Sequence, residues 1–265
     1  VSTATSRVGF DDNRYTWRNL TEGEVTIYWY QGEQSFAQEI MATAQQALSR
    51  LAEDTGAHLE RPVKMYIYAS PNDLQGAMIY PQEWTGGVAF TRFGVIAIGI
   101  APGDLGWGKR AIAHELAHLV IHQVTLNPYG DLPTWLDEGL AMYAEGELSP
   151  EYDAYLRMAV VEERLISVRS LSSPFSAYAE EAVLAYAQSY SLVEFLIASY
   201  GQEKMLELLN TFREGSTYDG ALKEVYGFDM DGLDVRWRDY IGASASPARE
   251  AGLQPMLAGA GRQVW

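Results

Sequence analysis

The order of elements written in the sequence predicts an α+β fold. It has an N-terminal mixed sheet with one packed helix, a central helix at a junction, and an all-helical C-terminal subdomain. Three observations carry this reading. Short β-branched and aromatic runs occur only before Pro102. One long helical pattern interrupts them. After Lys109 the apolar residues recur at helical spacing.

Residues 1–20 are polar and irregular, with Arg7, Asp11, Asp12, Asn13 and Arg14, and predict no regular element. Val25-Thr26-Ile27-Tyr28-Trp29-Tyr30 is β-branched and aromatic and predicts a strand. From Gln34 to Asp54, Phe36, Ile40, Ala44, Ala47, Leu48 and Leu51 fall on one helical face, and Gly56 stops the helix. Val63 to Tyr68 alternates as a strand ended by Ser70-Pro71-Asn72-Asp73, and 73–78 predicts a short helix. Val88-Ala89-Phe90 and Val95 to Ile100 predict two strands joined at Arg92-Phe93-Gly94. After a loop at Pro102-Gly103-Asp104-Leu105-Gly106, a helix is expected from about Lys109 to Gln123. Further helices are expected over 133–145, 151–163, 179–200, 203–212, 218–226 and 230–240. Residues 243–265, rich in Ala, Gly, Ser and Pro, predict a tail or linker. The expected division is a sheet subdomain over 1–108, a helical subdomain over 109–242, and the tail.

Composition removes several function classes. A net charge of -16 opposes phosphate binding, so no nucleic-acid partner is expected, and it also opposes an anionic membrane surface. No run approaches eighteen apolar residues, so no membrane span is expected within the chain. With no cysteine, a metal would have to be held by histidine and carboxylate. A start at Val1 is expected of a processed chain, which points outside the cell or to the cell envelope, with the cytoplasm left open.

The chemistry-bearing feature is His114-Glu115-Leu116-Ala117-His118. On a helix, histidines four residues apart share one face and can hold one Zn²⁺, with Glu115 beside it as general base for a water. A catalytic zinc needs a third protein ligand. A third histidine six residues after His118, reached through a helix-breaking glycine, is excluded by Val124 and Ile121. His122 continues the series, but on a straight helix it lies about 12 Å along the axis from His114, too far to share the metal. Glu138, twenty residues after His118 on the next helix, is the expected ligand. Asp131 is the alternative, with capping of the Pro133 helix as its other reading.

His114-Glu115-Leu116-Ala117-His118 followed by Trp135-Leu136-Asp137-Glu138-Gly139-Leu140-Ala141 resembles the gluzincins, zinc peptidases with two histidines and a glutamate. Within them the chain is similar to the peptidase MA-like family, related to thermolysin and to the aminopeptidase branch. Ala185 to Leu196, Gly227-Phe228 and Trp237 to Tyr240 extend the resemblance over roughly residues 60–242. It implies a zincin-like fold and hydrolysis of a peptide or protein substrate by a zinc-activated water, with Glu115 passing the proton to the leaving amine. An oxyanion donor is expected at Tyr186, where the aminopeptidase branch carries its catalytic tyrosine, or at Tyr190 one turn later. His58 is the weaker option. Asp137 and Glu145 are the expected partners that orient the histidines. The thermolysin type has an acidic residue four positions after the ligand glutamate, where this chain has Met142, so the partner of His114 is expected from elsewhere or from a backbone carbonyl.

Gly86, Gly87, Val88 and Ala89 form the expected sheet edge on which a peptide would add as a strand. Aminopeptidases of this type carry a glutamate there to hold the free amine. Ala89 occupies that position, which favours an endopeptidase. The rival reading is a non-catalytic binding or scaffolding protein that keeps its zinc.

Overall fold

The computed structural model describes residues 12–78, 86–128, 130–176 and 178–243. Among them, five strands form one mixed sheet: β1 (Arg18–Glu22), β2 (Val25–Trp29), β3 (Val63–Tyr68), β4 (Gly87–Phe90) and β5 (Val95–Gly99). Their spatial order is β1-β2-β3-β5-β4. The central pairs β2/β3 and β3/β5 are parallel, and the outer pairs β1/β2 and β4/β5 are antiparallel. Among the described residues, β4 is therefore an edge strand.

β1 was not expected from the sequence. Arg18-Asn19-Leu20-Thr21-Glu22 is mostly exposed and lacks a β-branched pattern. It is held by the ladder to β2, closed by a tight turn in which Gly23 takes φ 57°. A strand made by backbone pairing alone leaves little trace in side-chain pattern. The other sequence expectations within the described residues differ by a few residues at their ends. The expected short helix is α2 (Pro71–Gln75), shifted toward the chain start because Ser70 accepts a capping bond from the Asp73 N–H.

Helix α1 (Gln34–Thr55) is the crossover between β2 and β3, and it packs on the sheet beside α3 (Leu105–Val124). The inward positions of β2, β3 and β5 (Val25, Ile27, Trp29, Val63, Met65, Ile67, Ile96 and Ile98) build one core with these two helices. The second core is helical. It is made by α4 (Thr134–Glu145), α5 (Pro150–Val161), α6 (Ala179–Tyr200), α7 (Gln202–Arg213), α8 (Tyr218–Tyr226) and α9 (Met230–Tyr240).

α3 belongs to both cores. Ile112, Leu116 and Leu119 face the sheet core, while Ala117, Val120, Ile121 and Val124 face the helical core. α3 begins four residues before the expected Lys109, because burial of Gly108 against Ile100 overrides the poor helix propensity of Gly106 and Gly108. α4 and α6 approach closely at Gly139, where a Cβ would lie 2.4 Å from the Ser189 carbonyl oxygen. α6 is long and apolar enough to cross a membrane, with mean hydropathy 1.2, but 61% of that stretch is buried in the protein. Its contacts with α4, α5 and α7 account for that apolarity. The expected tail lies outside the described residues from residue 244 onward.

Candidate metal centre

Helical spacing sets His114 and His118 one turn apart on α3, and their Nε2 atoms come within 3.1 Å. α4 packs across α3 and brings Glu138 to them. One carboxylate oxygen, Oε2, lies 3.6 Å from each Nε2. That oxygen is buried and has no hydrogen-bond partner. Ligands about 2.0–2.1 Å from a four-coordinate zinc stand roughly 3.4 Å apart, so three donor atoms at these separations match one face of its coordination shell. A buried carboxylate oxygen with no donor would otherwise be costly. His114, His118 and Glu138 thus fit a divalent metal with nitrogen and oxygen ligands.

The remaining ring nitrogens are fixed by carboxylates. His114 Nδ1 donates to Glu145 Oε1 at 2.8 Å, and His118 Nδ1 donates to Asp137 Oδ1 at 2.9 Å. Glu145 sits two turns after Glu138 on α4, whereas Met142 lies along the cleft wall. The other oxygen of Asp137 accepts from His122 Nε2 at 2.9 Å. His122 is therefore joined to the centre through Asp137. His118, His122 and Asp137 also form a cluster close enough to hold a metal ion.

Charge follows the geometry. Burial disfavours a charged His114, but Glu138 and Glu145 outweigh it and push its pKa up to about 9. His118 is raised well above the ordinary value, with Asp137 and Glu138 overcoming its burial. Burial would raise Glu138, yet the two histidines hold it down at about 2, and Asp137 is lowered by His118 and His122 in the same way. Glu115 goes the other way: burial raises its pKa, opposed by the two histidines.

Glu115 lies against β4. A Cβ at Gly87 would meet Glu115 Oε1 at 2.8 Å and Cγ at 3.1 Å, so only glycine leaves room for the carboxylate in this position. The Ala89 N–H also reaches the Glu115 carboxylate. Gly86 and Gly87 line a cleft of about 860 Å³ with His114, Glu115, Trp107 and Tyr152. Of the four expected edge residues, Gly86 and Gly87 thus face one cavity with the histidine helix, whereas Val88 packs with Tyr66 and Tyr68 and Ala89 packs against the sheet core.

The two tyrosines separate. Tyr186 is close enough to Glu138, Glu115 and Asp137 for their charges to add to its burial in raising its pKa, and its ring meets Phe175 edge-on. Tyr190 sits instead beside Tyr143 and Glu194 and takes a backbone hydrogen bond from Leu148. His58 is exposed on the connection after α1. Asp131 is exposed too. The position before α4 is Pro133, with no side-chain cap, so the expected capping role of Asp131 is not seen. Trp107, Arg110 and Tyr152, which line the cleft, escaped sequence reading because no motif marks them and only packing brings them in.

Residues 43–243 match the Peptidase MA superfamily. The chain belongs to that superfamily. The match spans both ligand helices and most of the helical core, so this superfamily member carries a zinc-metallopeptidase-like fold with a His/His/Glu cluster. Among solved structures it is similar to a mutant M1 zinc metallopeptidase from Deinococcus radiodurans, with 16% identity and a TM-score of 0.39. That similarity covers 88% of this chain and 53% of the other, so the chain spans about half the length of the structure it matches. No curated protein matches.

Proposed function

We propose that the chain is a zinc-dependent peptidase that cleaves within peptides rather than from a free amino terminus. The observation that carries this reading is the unpaired, buried Glu138 Oε2 beside the two Nε2 atoms, with Glu115 between them and a sheet edge. Zinc held by His114, His118 and Glu138 would act as a Lewis acid and lower the pKa of a water.

The chain's own groups supply the rest. Glu115 accepts the water's proton and passes it to the leaving nitrogen, from a position beside both histidines and the sheet edge. β4 offers its free edge to an extended substrate, with the scissile carbonyl above Glu115. Asp137 and Glu145 hold the imidazoles in the orientation that presents Nε2. Tyr186 donates its hydroxyl to the oxyanion. Ala89 leaves β4 without a carboxylate to anchor a substrate amine, which supports internal cleavage.

The test combines metal analysis with a mixed peptide library. One zinc per chain and cleavage at internal bonds are expected. Glu115→Gln should keep the zinc and abolish cleavage. A protein that holds no zinc after mild purification, and melts identically with and without chelator, would overturn the proposal.

A further inference from the structure

The proposed groove has a second end. β4 and α3 run side by side: Gly87 lies against Glu115, while Thr91 and Arg92, just beyond β4, share a pocket with His122. A peptide on the edge strand therefore passes from Gly86, over the metal ligands, toward Arg92. The Gly86 end is flanked by Glu147 and Glu151. The Arg92 end is a separate pocket of about 80 Å³ whose wall carries Arg61 and Arg92.

The chain has 19 basic and 35 acidic residues. Among the described residues Arg18, Arg50, Arg61, Arg92 and Arg236 have no carboxylate within ion-pair distance, and of these Arg61 and Arg92 line the same pocket wall. The backbone of Arg61 is pinned: its N–H donates to Gln123 Oε1 at 3.0 Å, and its carbonyl accepts from Gln123 Nε2 at 3.3 Å. Arg92 sits in a single 3-10 turn closed by Gly94 at φ 65°. Neighbouring carboxylates do not satisfy them. Glu60 pairs with Arg213 at 2.7 Å, and Asp137 is shared by His118 and His122. Among the described residues, Asp131 is the one acidic residue on the pocket wall, against two arginines.

We infer that this pocket is an anion subsite, which takes a carboxylate of the bound peptide from an Asp or Glu side chain or from the peptide's C-terminus. The inference rests on the peptidase reading, because the peptide must lie on β4 to reach it. Ala89 touches Glu115, β4 ends at Phe90 and the turn that carries Arg92 follows, so the carboxylate sits a few residues from the attacked bond. Planar guanidinium groups suit a carboxylate, and paired donors add orientation as well as attraction. With Glu147 and Glu151 at the opposite end, the groove also sets a direction for the peptide.

The experiment measures fluorescence anisotropy of labelled hexapeptides on zinc-loaded Glu115→Gln protein, so that binding is read without turnover. The peptides are neutral, or carry one Glu scanned along the chain, or one Lys, each made with a free or an amidated C-terminus. Acidic peptides are expected to bind roughly tenfold tighter than neutral ones, with the advantage fading as salt is raised. The Glu position or the free C-terminus that gives the advantage identifies the source of the carboxylate. Adding Arg61→Ala and Arg92→Ala should erase the advantage at unchanged melting temperature and neutral-peptide affinity. Arg61→Glu with Arg92→Glu should reverse it toward Lys. Equal binding of neutral and acidic peptides, or an advantage that survives both arginine changes, would overturn the subsite and leave the peptidase reading intact. Failure of every peptide to bind, with a wild type that cleaves nothing, would overturn both.

Discussion

Gly87→Ala tests whether Glu115 works from the place where β4 holds it. The added Cβ would lie 2.8 Å from Glu115 Oε1 and 3.1 Å from its Cγ, where ordinary contact is no closer than 3.4 Å. One of the two must yield by about 0.6 Å, and Gly87 is fixed by its ladder to Ile98, so the glutamate moves. A misplacement of about 1 Å costs on the order of 10²-fold in rate, so kcat/KM should fall roughly 10- to 100-fold. Zinc content should not change, because the contacts fall on Glu115 and not on the ligands. Stability should hold as well. Gly87 has no positive φ, and replacing glycine removes unfolded-state entropy worth about 0.4–1 kcal/mol, which offsets the local strain. The assay is hydrolysis of a quenched fluorescent peptide, with metal analysis and thermal melting on the same samples. Activity within twofold of wild type would refute the reasoning about Glu115. Loss of zinc would refute the separation of base from ligands.

Asp137→Asn weakens the acceptor for both His118 and His122, and zinc affinity should fall about 10- to 100-fold in competition with a chromophoric chelator. Unchanged affinity would mean that His118 needs no orienting partner. Tyr186→Phe should lower kcat by about 10²-fold with little change in KM, while Tyr190→Phe should leave kcat alone. Equal effects would remove the distinction drawn from their surroundings. In the metal-free protein, His114 and His118 have raised pKa values, so their contribution to stability is full below the unfolded value of about 6.5. It is lost as pH rises through about 9. Glu138 is lowered, so its contribution is full above its unfolded value and lost as pH falls toward about 2. The melting temperature of metal-free protein should therefore be highest between about pH 4.5 and 6.5 and decline on both sides. With zinc bound the histidines must be neutral, so the decline above pH 6.5 should disappear. A metal-free melting temperature that is flat from pH 6 to 9 would contradict this.

Much of this architecture was legible in the sequence because the relevant signals are local. The histidine pair, its helix, and the spacing to Glu138 follow from periodicity and one turn between two helices. β2, β3 and β5 are written in alternating or continuous apolar residues, since burial on the sheet demands them. β1 was not legible, because its partner is a backbone ladder. The partner of His114 stayed open, down to a backbone carbonyl, until α4 was placed against α3, since Glu145 reaches it from a position that no spacing rule marks. Tyr186 and Tyr190 share a helix face in sequence, and only the packing of α4 and α5 on α6 separates their surroundings. The arginine pocket draws on the approach to β3, the turn after β4 and the end of α3, which meet only in the folded chain.

From Ile112 to Val124, α3 is a wall common to both cores, and it is packed from two sides. Peeling away the helical layer leaves α3 anchored on the sheet, and loosening the sheet leaves it anchored on the helices. Hydrogen exchange along His114–His118 should therefore require opening of the whole molecule, at the full free energy of unfolding. In this design the histidines sit on the segment shared by both cores, while Glu115 also takes its position from β4.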